Sequence, residues 1–515
     1  MLSTPVALDR SGDLPLYRQI EEELRSAILD GRLRPGMRLP SVRGMAAELR
    51  VARITVVTAY EQLAADGYVE GRAGVGTIVV EGIPDDWRHR APAPALRAPT
   101  AASRDGRRHE PKLPPMVGHV PQRPFFETHP ILAGHAALDL STAGASFDRF
   151  PTELWERVLK QAWRELTAEP GSPALTYRGP GGDMRLRVAL AELLGATRAV
   201  RCEPEDVLIA SGSQGAIGAI ARLWLAPGRR FVAEDPGAPH LWRTLLASGA
   251  RMIAVPVDAD GLVVDALPEH AEVVLVTPSW QYPAGGTLPL ARRLALLEWA
   301  HRSGAVIVED DCDSELRYSG HPLASLQGLD PDGRVIYTGT FSKVLFPGLR
   351  TGFAIAPQRL RSPLLATLEA HERGPAALEQ RALAIFIEEG HFERHLRRLR
   401  LVHAERQAAL RAAVDRWLPG MITVAEAPAG THLVALIEHS CWTASDLARA
   451  ARGADLIVEP LSVSRVAPSM DRELLLHYAR HTPAALHEAM RRLARVMADA
   501  RGCAKQHRHG DSTAA

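Results

Sequence analysis

The sequence predicts two folded units of different class on one chain: a small helical unit closed by a β-ribbon, then a larger α/β unit built on a mostly parallel sheet. Three observations predict this. A length of 515 residues is more than one hydrophobic core usually encloses. Residues 83–130 hold ten of the 38 prolines and little aliphatic periodicity, the composition of an extended Pro/Ala linker. Behind that stretch, near-continuous aliphatic runs alternate with helical segments, the pattern of strands buried on both faces. The expected division is therefore a first unit over 1–82, a linker over 83–130, a second unit over 131–500 and a polar, disordered tail over 501–515. At about 3.1 Å per residue in polyproline geometry the linker reaches about 150 Å.

Composition narrows the function classes. Hydrophobic residues make up 46% and charged residues 23%, with a net charge of +1, so a globally basic nucleic-acid binder is excluded while a small basic module is not. Cys202, Cys312, Cys441 and Cys503 form no CxxC pair, which supports neither a disulfide framework nor a zinc knuckle. Cys503, His507 and His509 lie in the polar tail, so no metal site is expected. The N-terminus lacks a basic start with an apolar core behind it, and no apolar run approaches the ~18 residues that span a bilayer. The expected setting is the cytoplasm, with no membrane partner.

In the first unit, Leu16, Ile20, Leu24 and Ile28 recur every four positions and define one face of a helix ended by Gly31. Ser41 is placed to cap a second helix with Met45 and Leu49 inside. A break at "RVA" leads to a third, with Val56, Tyr60 and Leu63 on its inner face. "YVEGRAGVGTIVV" then reads as two short strands around a glycine-rich tip. Three helices with a tight turn before the last, followed by such a ribbon, make a winged helix-turn-helix. Residues 1–82 carry ten Arg against eleven acids, yet 31–60 hold Arg32, Arg34, Arg38, Arg43, Arg50 and Arg53 against Glu48 alone. The basic charge is concentrated where phosphate neutralisation and base readout are needed.

The motifs "PLYRQ", "LPSVRGMA", "ARITVVTAYEQL" and "GRAGVGT" cover this whole unit and resemble the winged helix-turn-helix of GntR-type bacterial regulators. The resemblance implies that Arg43 and Arg53 contact DNA, that Thr55 meets a phosphate or base edge, and that Gly74 lets the wing approach the minor groove. Ala52 stands where the family usually has Ser or Thr, so the third helix lacks a side-chain cap worth ~1 kcal/mol. Ile54 replaces a commonly polar reading position.

In the second unit the strand-like runs are "DVLIA", "RRFVAED", "RMIAVPV", "AEVVLVTP", "GAVIVEDD", "GRVIYTGT" and "TGFAIAP". In open parallel sheets, sites lie at the carboxyl ends of the strands. Ser211, Gly212 and Ser213 follow the first run and open a helix, offering N–H groups, hydroxyls and a positive helix end to a phosphate. Asp310 ends an apolar strand, where a carboxylate needs a cation such as a protonated pyridine nitrogen. Lys343 sits in "GTFSKVLFPGLR", among small and apolar residues, where an amine becomes a usable nucleophile if its charge is removed. Thr340 and Ser342 add hydroxyls and Arg350 a second phosphate anchor. Together these groups match pyridoxal 5'-phosphate (PLP).

The segments "YRGPGGDMRLRVALAELL", "SGSQGA", "EDPGAP", "TPSWQYPAGG", "EDDCDSELRYSGHPLASLQGLD" and "GTFSKVLFPGLRTGF" resemble fold-type I aminotransferases. Joined to the first unit, they make the chain similar to MocR-type regulators over nearly its entire length. The resemblance implies a Schiff base at Lys343, Asp310 on the ring nitrogen, and Arg350, Thr340, Ser211 and Ser213 on the phosphate. It also implies a head-to-tail homodimer in which Tyr177 reaches the partner's cofactor phosphate.

Four positions depart from the aminotransferase pattern. Ala238 replaces a stacking aromatic, Cys312 a Tyr facing the ring oxygen, Trp280 a usual His, and Leu475 the Arg that grips a substrate carboxylate. Competent transamination is therefore not expected. The expected function is a DNA-binding transcription regulator that senses a small amine or amino-acid effector through its PLP-binding domain and binds operator DNA. Its rivals are an active aminotransferase with a DNA-binding appendage and a cofactor-free dimerisation scaffold; Leu475 speaks against the first, and Lys343, Asp310 and Arg350 against the second.

Overall fold

The structure is a computed structural model that describes residues 8–10, 14–65, 68–72, 75–80, 138–141, 144–169, 171–172, 176, 181–311, 313–318, 323–372, 374–438 and 441–499. The linker, the tail, and the site candidates Gly74, Tyr177 and Cys312 lie outside the described residues. The chain divides into two compact units, Met1–Pro111 and Lys112–Ala515.

The first unit holds helices α1 (Leu16–Leu29), α2 (Val42–Leu49) and α3 (Arg53–Ala65), followed by the antiparallel pair β1 (Val69–Arg72) and β2 (Gly76–Val79). The predicted apolar faces meet in one core of Ile20, Leu24, Ile28, Met45, Val56, Tyr60, Leu63 and Val79. Ser41 caps α2, its Oγ accepting the Gly44 N–H at 3.1 Å. The Tyr60 hydroxyl, otherwise costly to bury, donates to the Pro40 carbonyl at 2.9 Å and fixes α3 against the turn before α2. Ala52 precedes α3 and has no side-chain oxygen to offer its free N–H groups. Ala52→Ser is therefore expected to stabilise this unit by about 0.5–1 kcal/mol, measured by chemical unfolding of the wild-type and variant chains. An unchanged or lower midpoint would show that the α3 N-terminus needs no cap.

In the second unit, all seven predicted strands appear in one eight-stranded sheet. In chain order they are β4 (Val207–Ala210), β5 (Arg230–Asp235), β6 (Arg251–Asp258), β8 (Val273–Val276), β9 (Val306–Asp310), β10 (Val335–Thr340) and β11 (Gly352–Ile355). β7 (Gly261–Leu262) adds a short hairpin partner to β6, and β3 (Leu138–Asp139) lies outside this sheet. The spatial order is β4-β11-β10-β9-β8-β5-β6-β7, parallel throughout except at β11 and β7.

Helices cover both faces. Helix α6 (Gly212–Trp224), α7 (Pro239–Leu246) and α9 (Gln358–His371) share one cluster with the sheet, and α8 (Leu290–Ser303) lies in another. A third cluster gathers α4 (Thr152–Leu166), α5 (Met184–Arg198), α10 (Ala377–Glu388) and the start of α11 (His391–Trp417). This double cover explains why β4, β8 and β9 are buried at every position.

The sequence reading treated 131–500 as one α/β block, but its C-terminal part builds a second, antiparallel layer. Strands β12 (Ile422–Val424), β13 (His432–Ile437), β15 (Glu459–Pro460) and β16 (Glu473–His477) form a four-stranded sheet in the order β12-β13-β16-β15. Strand β14 (Leu456–Ile457) pairs instead with β3. Helices α12 (Ala444–Arg452) and α13 (Pro483–Ala498) pack on one face of this sheet with the end of α11. The 27-residue α11 thus belongs to two cores, through Phe392, Leu396 and Leu399 at one end and Leu410, Ala413 and Val414 at the other. Cys441 is disulfide-bonded, a pairing that the scattered cysteine spacing did not suggest.

Candidate ligand site and DNA-facing surface

Strand register brings the site candidates of the second unit into a row. Ala210 at the end of β4 pairs with Gly352, Gly352 with Thr340, and two residues earlier Thr338 with Asp310. Four neighbouring strand ends thus span about 14 Å at ordinary strand spacing. Gly352 permits the first contact, because a Cβ there would lie 2.5 Å from the Gly212 carbonyl carbon and 2.7 Å from the Ser213 nitrogen. Gly212 itself has φ +74°, a conformation that favours glycine.

The acid-rich "EDDCDSE" run sorts into different roles along this row. Glu309 faces away from Asp310 and accepts N–H groups of Leu326 and Gln327, each at 2.9 Å. Burial, with the nearby Asp311 charge, pushes the Glu309 carboxyl up to about 7. Asp311 pairs with the buried Arg198 guanidinium at 2.8 Å and accepts the Tyr337 hydroxyl at 2.6 Å. Asp310 is buried at the end of β9 and accepts the Thr338 hydroxyl at 3.1 Å. Asp313 pairs with Lys343.

Lys343 follows β10 between the buried Phe341 and Val344. Its Nζ lies 2.7 Å from Asp313 Oδ2, with side-chain exposures of 13% and 2%. The same Nζ stands 5.3 Å from the centre of the Tyr282 ring, within cation–π range. Asp313 and Tyr282 were missed from sequence. The acid run gave a signal for the first, since Asp313 lies three residues beyond Asp310; Tyr282 gave none. Thr340 and Ser342 hydroxyls lie 3.0 Å apart. Arg350, with φ 51°, donates from Nη2 to the Ser211 carbonyl at 3.3 Å, bringing its guanidinium beside the start of α6.

Three of the four departures can now be placed. Ala238 is buried at the N-terminus of α7, and Cys312 lies outside the described residues. Trp280 is buried against two glycines: a Cβ on Gly430 would lie 2.6 Å from its Nε1, and one on Gly285 3.0 Å from its ring. Leu475 is fully buried on β16, opposite Val434. Two residues on, His477 faces His432 across the same strand pair, with ring centres 5.1 Å apart. The His432 ring packs edge-on to Tyr282 at 5.1 Å and its Nε2 donates to the Pro283 carbonyl at 2.9 Å. The register of the substrate-gripping Arg is thus apolar, next to a buried imidazole pair that burial drives toward neutrality.

A third buried imidazole ties α11 to the loop before α4. Ser146 donates to the Ala479 carbonyl at 2.6 Å, so the His403 Nε2, 2.9 Å away, is the donor to Ser146. Burial, then the Arg406 charge, lowers His403 to about 4. Because the folded pKa lies below the unfolded value of about 6.5, this contribution is complete above pH 6.5 and is lost as pH falls toward 4. His403→Gln should lose about 2–3 kcal/mol less stability than wild type between pH 7 and pH 4, read from denaturant midpoints. Parallel profiles would mean that His403 takes up its proton at the same pH in the folded and unfolded chains.

On the first unit, Arg43 and Arg53 are exposed on α2 and α3, and Thr55 is half-buried on α3. The inner face of α3 is Val56, Ala59, Tyr60 and Leu63, which turns Ile54 outward at 69% exposure, while Arg53 is exposed as the first residue of the helix. Arg38 leans on the ribbon, where a Cβ on Gly76 would lie 3.0 Å from its Nε.

A small helical unit with exposed arginines near the starts of its second and third helices and a ribbon, joined to a doubly covered parallel sheet with a lysine, a carboxylate and an anion-ready helix end, defines a DNA-binding protein fused to an aminotransferase-type domain. Residues 16–79 match the family of bacterial regulatory proteins of the gntR family, and residues 146–493 match aminotransferase class I and II. The chain is 37% identical to the probable rhizopine catabolism regulatory protein MocR of Rhizobium meliloti, over 95% of both chains. It is 36% identical to the pyridoxine biosynthesis transcriptional regulator PdxR of Corynebacterium glutamicum, over 78% of this chain and 80% of that one.

Among solved structures, α-aminoadipate aminotransferase LysN of Thermus thermophilus, complexed with a phosphopyridoxyl-leucine, matches at TM-score 0.63 and 30% identity. That match covers 72% of this chain and 93% of LysN. Kynurenine aminotransferase of Pyrococcus horikoshii matches at TM-score 0.64 and 25% identity, over 71% of this chain and 92% of that one. The chain belongs to the MocR-type transcription regulators, GntR-family DNA-binding proteins that carry an aminotransferase class I and II domain. It is a DNA-binding transcription regulator with operator DNA as its partner. Among the described residues, no helix is long and apolar enough to cross a membrane.

Proposed function

We propose that this regulator binds PLP in its larger unit and uses that unit as an effector sensor, acting in the cytoplasm as a head-to-tail homodimer. The observation that carries the reading is the near-buried Lys343, held 2.7 Å from Asp313 at one end of a row whose other end is the start of α6. The residues present fit the cofactor: an amine, a buried carboxylate and a helix N-terminus flanked by a guanidinium. In this reading residues 1–82 bind DNA, 83–130 link, and 131–500 bind the cofactor.

The N–H groups of Ser211, Gly212 and Ser213 and the hydroxyls of the two serines, with Thr340 and Arg350, would hold the phosphate. Ser342 orients the Thr340 hydroxyl through their 3.0 Å contact. Asp310 would pair with the cofactor's ring nitrogen and favour its protonated form. When bound, PLP supplies an electrophilic carbonyl carbon that condenses with amines. Lys343 must lose a proton before its Nζ can attack, and Asp313 Oδ2 is the acceptor already in contact. Tyr177 of the second subunit would complete the phosphate site. An effector amine or amino acid bound at this site would favour one domain arrangement over another and so alter the fit of two winged units to a repeated site. Leu475 offers no charge to a substrate carboxylate, so sustained turnover with common amino acids and 2-oxo acids is not expected.

The test is binding of the full chain to DNA recovered from a random pool, with and without saturating PLP, by fluorescence anisotropy. A several-fold change in affinity is expected, with no oxo-acid production. Identical affinities would remove the sensor role, and enzyme-like turnover would favour an aminotransferase carrying a DNA-binding appendage.

A further inference from the structure

The start of α6 already holds an anion. Glu372 follows the last residue of α9, and its Oε1 accepts the Ser211 N–H at 2.9 Å from 161 residues away. The carboxylate lies over the first turn of α6, because a Cβ on Gly215 would meet its two oxygens at 2.7 and 2.8 Å. Only a residue without a side chain leaves room for it there. Ser211, the residue at the N-cap position, makes no side-chain cap bond of its own. The Arg350 guanidinium stands on the other side, 3.8–3.9 Å from where a Gly212 Cβ would sit. A negative charge is thus drawn to a positive helix end that a small, bare turn leaves open.

We infer that Glu372 is a tethered anion that competes with the cofactor's phosphate for the N-terminus of α6 and thereby sets the concentration at which the protein fills. This inference rests on the reading of that turn as the phosphate cradle. Two carboxylates then occupy the two attachment points from within the chain, Asp313 on the lysine and Glu372 on the phosphate position. Filling the site exchanges Glu372 for phosphate and frees the junction between α9 and α10. Helix α10 carries Leu383 and Phe386 in the core shared with α4 and α5, so the junction is the place where occupancy reaches the rest of the unit.

Glu372→Gln keeps the size and the oxygen acceptor but removes the charge, and Glu372→Asp keeps the charge on a shorter arm. In the full chain, equilibrium dialysis should show PLP binding tightened about 3- to 30-fold by Glu372→Gln, the range expected for a charge at a helix end. Glu372→Asp should fall between that variant and wild type. Pyridoxal, which lacks the phosphate, should bind both chains within about twofold of each other, since no anion is displaced. Inorganic phosphate, followed by thermal shift, should stabilise the Gln variant at lower concentration than wild type. Equal or weaker PLP binding in the Gln variant overturns the inference, as does an equal gain for pyridoxal. If neither chain takes up PLP yet the Gln variant gains phosphate binding, the cofactor reading fails while the tethered anion stands. If wild type and variant bind PLP alike, the tethered anion fails while the cofactor reading stands.

Discussion

Lys343→Ala is expected to abolish covalent attachment of PLP and to cost the larger unit about 3 kcal/mol of stability. The first effect follows from the loss of the amine. The second comes from the 2.7 Å pair with Asp313, whose side chain is only 2% exposed. Removing one partner of a buried ion pair leaves the other charged in a poor solvent, which typically costs ~3–5 kcal/mol. Asp313→Asn in the Lys343→Ala background should restore most of that stability, because an amide needs no counter-charge, while leaving attachment abolished. A thermodynamic cycle over the four chains isolates the pair. Additive losses would mean that Asp313 is satisfied by other groups and that its contact with Lys343 is incidental.

Arg53→Ala is expected to weaken binding to a selected DNA site by ~1–3 kcal/mol, about 5- to 150-fold, and to reduce the preference for that site over random DNA. Arg53 is the exposed first residue of α3, and the burial of Val56, Ala59, Tyr60 and Leu63 fixes the helix so that Ile54 points away from the core. The N-terminal residues of a recognition helix are those that reach base edges in the major groove. The exposed Ile54 beside it suits a thymine methyl rather than a hydrogen-bonding edge. A uniform loss on selected and random DNA, with a shallower salt dependence, would assign Arg53 to a phosphate instead. No loss on either would mean that another surface of the unit meets DNA.

The first unit was legible because its helices show the 3.6-residue period and because Ser41 caps α2 as its position suggested. The main sheet was legible because strands buried on both faces read as uninterrupted aliphatic runs, as in "VVLV" of β8. The antiparallel layer of β12, β13, β15 and β16 was not. Strands β12 and β15 are only three and two residues long, and residues such as His432 and His477 interrupt the apolar pattern of the longer β13 and β16 because they face the other layer rather than the core behind. The lysine, Asp310 and the α6 turn stood out as chemistry at strand ends. Their partners did not: Asp313 is one acid among several in "EDDCDSE", and Glu372 reads as an ordinary polar residue at a helix end. Both act through contacts across 30 and 161 residues that no local period encodes.

The central claim is that PLP attaches at Lys343, and the chain's composition makes it directly testable. Lys112, Lys160, Lys343 and Lys505 are its four lysines, and Lys160 is an exposed helix residue paired with Glu156. Incubation of the full protein with PLP, borohydride reduction and peptide mass mapping should place one phosphopyridoxyl group on the peptide containing Lys343, with loss of the visible absorbance band. Labelling absent from Lys343, or spread evenly over the other lysines, would contradict the account.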